Sequence, residues 1–272
     1  MMSRALVMGL LLIIPTFCLG ADPAVEISPD VVYGHKDGLA LTFDVFTPVE
    51  KPRGIGVIFM VSGGWYSSWA PPENMKRFTQ SLTDKGFTVF TVRHGSSPRY
   101  GIPDAVSDVR RAVRFIRLNA EKFKINPAQI GVFGMSAGGH LSLMLGTTAD
   151  EGKPDDKDPV LRVSDRVQAV VAYVAPTDLR IMVKDAPDRL PAYANFPALN
   201  LEMNLAEPHS PLAQVTSDDA PTLLLAGAKD NLVPVDHSRR IQVEFDAKQV
   251  ENKLIEYPEA GHGFGGEVRE QA

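Results

Sequence analysis

Cysteine is almost absent: the 272 residues contain one, Cys18, and it lies within the N-terminal segment of residues 1–20. The remaining chain therefore offers no disulfide, no cysteine nucleophile and no cysteine-ligated metal. A basic excess is missing too, with 28 Lys and Arg against 33 Asp and Glu and a net charge of −5. Nucleic acids and anionic membrane surfaces both select basic patches, so neither is an expected partner. Long hydrophobic runs are lacking: the longest, Ala5 to Ile14, is about half of what a bilayer-spanning helix needs. There is no internal repeat, and 44% hydrophobic with 22% charged residues is an ordinary globular composition, long enough for one large core.

Residues 1–20 carry one basic residue, Arg4, the apolar run, Pro15 and a small-residue end at Cys18-Leu19-Gly20. This is the layout of a secretory signal peptide. It predicts cleavage after Gly20, a secreted or periplasmic location, and no stable membrane anchor thereafter. Residues 21–29 read as a linker, and 30–272 as one domain.

Val31 to Tyr33 and Leu39 to Phe46 flank Gly34-His35-Lys36-Asp37-Gly38, which reads as a hairpin with a glycine-bearing loop. Ile55 to Val61, Phe87 to Val92, Ile130 to Phe133, Val167 to Val174 and Thr222 to Ala226 are continuous apolar runs, the pattern of parallel strands buried on both faces. Between and after them lie helical patterns at Met75 to Lys85, Asp104 to Phe123 and Val235 to Gln249, with a last strand at Lys253 to Tyr257. Strands alternating with helices predict an α/β fold: a mostly parallel sheet of about eight strands with helices on both faces. Arg110, Arg111, Arg114 and Arg117 on the long helix read as a solvated, ion-paired surface. Asp150 to Asp158 holds five carboxylates without calcium-loop spacing and reads as a solvated loop. Residues 176–221, rich in Pro, Asn, Leu and Met, interrupt the alternation and read as an inserted cap.

The chemistry centres on Ile130-Gly131-Val132-Phe133-Gly134-Met135-Ser136-Ala137-Gly138-Gly139-His140. A Gly-x-Ser-x-Gly turn between a buried strand and an apolar helix is a nucleophile elbow, in which side chains at the two flanking glycines would collide with their neighbours. A serine there needs a general base and a carboxylate to orient it. Of six histidines, His262 alone sits in a glycine-rich loop at a strand's C-terminal end. Asp230, after the strand Thr222 to Ala226, is the candidate acid, with Asp236 and Glu259 as weaker alternatives; the order Ser, Asp, His runs across three strand ends. An oxyanion would need backbone donors: Ala137 N–H after the nucleophile, and Gly64 and Trp65 in the loop Ser62-Gly63-Gly64-Trp65-Tyr66. Trp65, Tyr66 and Trp69 read equally as a pocket wall or a core patch. His94, His140 and His209 read as packing or hydrogen-bonding residues, His35 and His237 as structural or exposed.

Together these segments resemble the α/β-hydrolase superfamily, in its secreted esterase/lipase branch of acetyl-xylan-esterase-like and hormone-sensitive-lipase-like enzymes, over about residues 30–266. The resemblance implies a serine carboxylesterase using Ser136, His262 and Asp230, with no cofactor and no metal, acting on a small-molecule or carbohydrate ester with a short acyl group. Two departures stand out. The family usually has histidine where this chain has Ser62, and it ends in a long helix after the histidine loop, where ten residues follow His262 here. The rival readings are an amidase or peptidase with the same triad, and a non-catalytic hydrolase-fold binding protein.

Overall fold

The computed structural model describes residues 25–264; the export-signal reading of residues 1–20 lies outside the described residues. Eight strands, β1 (Val25–Lys36), β2 (Leu39–Pro48), β3 (Gly56–Met60), β4 (Thr88–Val92), β5 (Ile130–Met135), β6 (Ala169–Tyr173), β7 (Thr222–Gly227) and β8 (Asn252–Tyr257), form one sheet in the order β1-β2-β4-β3-β5-β6-β7-β8. Strands β3 to β8 are mutually parallel, and β2 is antiparallel to both β1 and β4.

The apolar runs are continuous because both faces are covered. In the sheet register Ile58 lies beside Phe90 and Val132, while Phe59 lies beside Thr91 and Phe133. The first face carries Phe43, Phe90 and Phe123, with ring centroids 5.2 to 5.8 Å apart, and meets Phe115 of helix α2 (Ile102–Leu118). The opposite face carries Phe59 and Phe133, and packs on Phe78 of α1 (Glu73–Thr83) at 4.6 Å from Phe59. Helices α3 (Ala137–Thr147) and α6 (Asp236–Ala247) follow β5 and β7. Between β6 and β7 the chain makes short 3₁₀ turns and two four-residue helices, α4 (Met203–Ala206) and α5 (Pro211–Gln214). This irregular segment covers the stretch read as an inserted cap, 176–221.

Several boundaries differ from the sequence reading, three of them with a clear physical reason. Strand β1 begins by Val25, so residues 25–29 of the expected linker are strand, pairing Val25 with Pro48 and Ile27 with Phe46. The hairpin loop shrinks to two residues: Gly34, His35 and Lys36 are paired, and only Asp37 and Gly38 turn, both at positive φ, as an Asp-Gly hairpin turn demands. Helix α2 ends at Leu118 rather than Phe123. It stops where the Asn119 side-chain amide bonds back to the Phe115 carbonyl at 2.8 Å, after which Phe123 still packs into the core.

The arginines of α2 are ion-paired as expected, but they are not a solvated face. Arg114 is 5% exposed; its Nη2 lies 2.5 Å from Asp150 and 3.1 Å from the fully buried Asp165, which Arg110 also meets at 3.0 Å. Arg111 pairs with Asp158 at 2.5 Å. The acidic loop is thus tied down onto the helix by its carboxylates. Burial raises the Asp165 pKa, against the pull of Arg110 and Arg114. Removing one member of such a set leaves a charge uncompensated inside the protein. Arg114→Met is expected to cost about 3 kcal/mol of stability, read from urea denaturation; a loss within about 0.5 kcal/mol, the range of a surface substitution, would contradict it.

Candidate active site

The parallel strands point their C-terminal ends to one edge, and Ser62 to Trp65, Ser136, the cap, Asp230 and His262 follow β3, β5, β6, β7 and β8 in turn. That edge is where open α/β sheets hold their ligands. Ser136 sits at φ 54°, ψ −121° between β5 and α3, a conformation disfavoured for any residue with a side chain. It is held by close approach of backbone to backbone. A Cβ on Gly134 would lie 2.4 Å from the backbone of Gly138, and one on Gly138 would lie 2.7 Å from the Met60 carbonyl of β3.

The turn aims Ser136 Oγ at His262 Nε2, 2.9 Å away. On the other side of the ring, His262 Nδ1 donates to Asp230 Oδ2 at 2.8 Å. The second carboxylate oxygen of Asp230 accepts from the Leu232 and Val233 N–H groups at 2.8 and 2.9 Å. Asp230 has no exposed side-chain surface, while the His262 side chain is 27% exposed. A buried carboxylate fixed by two backbone donors leaves the imidazole one tautomer, with Nε2 free to accept the serine proton. The alternative acids are engaged elsewhere: Asp236 opens α6, and Glu259 pairs with Lys229.

The expected donor loop is a two-residue turn. Gly63 and Tyr66 exchange both backbone hydrogen bonds at 2.9 Å, leaving Gly64 at φ 56° and Trp65 at φ 59°. Their N–H groups, and that of Ala137 at the start of α3, donate to no other described residue. The helix N-terminus adds a favourable field for negative charge. Where histidine was expected, the Ser62 hydroxyl is 2.8 Å from His94 Nε2, and His94 Nδ1 donates to the Gly95 carbonyl at 2.8 Å. Ser62 is therefore the donor, and the steadying imidazole comes from the end of β4 instead of the loop itself. Burial lowers the His94 pKa, which keeps that ring neutral.

The cap closes over Ser136. Pro176, Met182, Tyr193, Phe196 and Leu199 meet Gly64, Trp65 and Ser136 around a cavity of about 10 Å³. Phe196 presses on the turn so closely that a Cβ on Gly64 would be 2.6 Å from its ring. Burial and the charge of Asp230 push the Tyr193 phenol up to about 12. The cap is moored by Asp178, whose carboxylate meets both Arg180 and Arg240 at 2.8 Å. Burial works against the charged carboxylate, but the two guanidinium hydrogen bonds outweigh it and hold its pKa below the usual value.

The BD-FAE family model matches residues 43–245, most of the span that carries these groups. The chain belongs to the BD-FAE family. Esterase LipC of Mycobacterium tuberculosis is 28% identical over 244 aligned positions, and the match covers 86% of this chain and 59% of that protein. An acetylxylan esterase of Xylanibacter ruminicola is 26% identical over 225 aligned positions, with 79% of this chain and 42% of the relative covered. The chain spans about half the length of the curated relatives it matches. Among solved structures, a truncated carbohydrate esterase from gut microbiota superposes with a TM-score of 0.73 at 25% identity, covering 89% of this chain and 90% of that one. An acetyl ester-xyloside bifunctional hydrolase from Caldicellulosiruptor lactoaceticus gives the same TM-score at 23% identity, covering 91% and 90%. The fold of this BD-FAE member is the α/β-hydrolase fold.

Within it, Ser136, His262 and Asp230 form one hydrogen-bonded row, and Gly64, Trp65 and Ala137 lie beside the serine. The arrangement suits attack by a hydroxyl on a carbonyl carbon. His140 is fully buried, hydrogen-bonded as expected, and joined to Trp65. Sequence reasoning did not find the cap residues Tyr193 and Phe196; the Tyr-x-x-Phe spacing carries no signal apart from its position between two core strands. The Asp178 mooring sets a pH dependence. A carboxylate with a depressed folded pKa contributes stability above its unfolded value of 3.8, and loses it as the pH falls through the folded value. Asp178→Asn is expected to lower Tm by roughly 3–8 °C at pH 7. The gap to the parent should narrow steadily below pH 4 in calorimetric scans, and a gap that stays constant down to pH 2.5 would contradict it.

Proposed function

We propose that this chain is a serine hydrolase that cleaves carboxylic esters of short acyl groups. The observation that carries the reading is the unbroken row from Ser136 Oγ through His262 to the buried Asp230, at 2.9 and 2.8 Å, beside three N–H groups that donate to no other described residue. Ser136 Oγ attacks the ester carbonyl carbon while His262 Nε2 takes its proton, and Asp230 holds the ring and stabilises the imidazolium. The carbonyl oxygen becomes an oxyanion held by the N–H groups of Gly64, Trp65 and Ala137; one such donor is worth about 10²–10³ in kcat. His262 then gives its proton to the leaving alcohol oxygen, and the acyl group stays on Ser136. Water, deprotonated by the same imidazole, attacks the acyl-enzyme and frees the acid and the serine.

The short acyl preference rests on the size of the space beside Ser136. A free volume of about 10 Å³ holds about one water-sized group, which matches an acetyl methyl. A cavity of about 530 Å³, walled by Tyr100, Arg99 and the β1–β2 hairpin, borders the Ser62 to Tyr66 loop through Tyr66 and His94 and is large enough to take the alcohol. Its largely apolar wall, with the rings of Tyr66 and Tyr100, suits stacking against the face of a carbohydrate ring, in line with the carbohydrate esterase and acetylxylan esterase that this chain resembles. The composition of residues 1–20 supports a secreted or periplasmic setting for this reaction.

A fluorophosphonate probe is expected to label the protein at Ser136 and to leave Ser136→Ala unlabelled; equal labelling of both would sink the reading. Across p-nitrophenyl acetate, butyrate and octanoate, kcat/KM is expected to fall by about 10-fold or more, since added methylenes meet a packed wall. Phe196→Ala should recover part of the octanoate rate. A rate that rises with chain length, or a matched anilide cleaved as fast as the ester, would contradict the assignment.

A further inference from the structure

Trp65 stands in the donor loop with two tasks. Its backbone, at φ 59°, offers one of the three N–H groups beside Ser136. Its indole is buried, and Nε1–H donates to His140 Nδ1 at 3.1 Å, with the two rings edge to face at 5.4 Å. His140 is on α3, and its own N–H donates to the Ser136 carbonyl at 2.9 Å. On its far side, His140 Nε2 is 2.8 Å from the carbonyl oxygen of His209 in the cap. A carbonyl only accepts, so Nε2 carries the proton and Nδ1 keeps its lone pair for the indole. One neutral imidazole thus joins the oxyanion loop, the nucleophile helix and the cap.

We propose that His140 is a positioning residue that transmits the seating of the cap to the oxyanion loop, so that the Trp65 N–H is aimed at the reacting carbonyl only while the His209 carbonyl is in place. A side-chain-bearing residue at positive φ persists only when its surroundings over-determine it, and the indole bond is the polar restraint on that side chain. The cap end of the connection is firm. Ser210, next to His209, accepts from the Leu179 N–H at 2.8 Å and donates to the Ala206 carbonyl at 2.7 Å, and His209 Nδ1 bonds the Leu205 carbonyl at 2.8 Å. Burial pulls the His140 pKa down to about 4, with the charge of His209 pulling the same way and the hydrogen bond to the His209 carbonyl opposing. The ring therefore remains an acceptor for the indole at neutral pH.

The inference rests on the ester hydrolase reading, and its test separates the two. His140→Phe keeps an aromatic ring and removes both nitrogens, Trp65→Phe removes the indole donor, and His140→Gln restores an acceptor and a donor in one amide. With p-nitrophenyl acetate, His140→Phe is expected to lower kcat by about 10–100-fold with KM within about twofold, the signature of a contact used in the transition state. The double variant with Trp65→Phe should be no slower than the slower single variant, and His140→Gln should recover most of kcat. The chain has two tryptophans, so ¹⁵N-indole spectra resolve Trp65 directly. Its N–H signal should move in His140→Phe and return in His140→Gln. Ser210→Ala, which loosens the cap segment without touching Trp65, should move the same signal and lower kcat. An unchanged kcat in His140→Phe, multiplicative losses in the double variant, or a Trp65 signal indifferent to Ser210→Ala would each overturn the proposal. If the parent protein hydrolyses no ester, the ester reading fails while the indole spectra still decide the connection; if His140→Phe does not fold, His140→Gln and Ser210→Ala carry both readouts.

Discussion

The site depends on one close approach of backbone to backbone. Gly134 and Gly138 meet across the turn at distances that leave no room for a Cβ, and Gly138 also lies against the Met60 carbonyl of the neighbouring strand. That contact forces Ser136 into its positive-φ conformation, lifts its hydroxyl above the sheet edge and starts α3 directly behind it. The same contact brings the ends of β3 and β5 together, and with them the loop that holds Gly64 and Trp65. A few tenths of an ångström at this crossing would separate the Ser136 hydroxyl from the N–H groups beside it, and in the proposed reaction such positioning is worth more than any single contact.

Around this crossing three imidazoles are used in two ways. His262 is partly exposed, with Asp230 on one nitrogen and the serine on the other, the arrangement the proposed proton transfer uses. His94 and His140 are buried and neutral, each donating to a carbonyl and accepting on the other nitrogen. They act as rigid struts whose two ends are chemically distinct. One strut runs from the oxyanion loop to the end of β4, the other to the cap, so both flanks of the Ser62 to Trp65 loop are tied.

Much of this was legible in the residues. The parallel strands showed as apolar runs because both faces are buried, and the row Ser136, Asp230, His262 showed because each follows a strand at the same edge. Other parts were not. Arg114 looks like a surface arginine on helical spacing, and only the fold of the acidic loop back onto α2 reveals that Asp150 and Asp165 bury it. The hairpin turn was read too long because Gly34 resembles a turn residue, whereas it is a paired strand position packed against the Arg111 side chain. Ser62 looked like a gap in the oxyanion loop; the compensating His94 lies 32 positions away, a pairing that no local pattern encodes. The cap was visible as an interruption, but its inward-facing Tyr193 and Phe196 come from irregular 3₁₀ turns without periodicity.

The most direct test of the account is capture of the covalent intermediate. The protein is mixed with p-nitrophenyl acetate, quenched in acid during turnover, digested and mapped by mass spectrometry. The account predicts one acetyl group, on the peptide containing Ser136, that accumulates within the first turnover and is lost on further incubation at neutral pH. Absence of any acetylated peptide during demonstrable turnover, or acetylation at another residue with Ser136 unmodified, would contradict it.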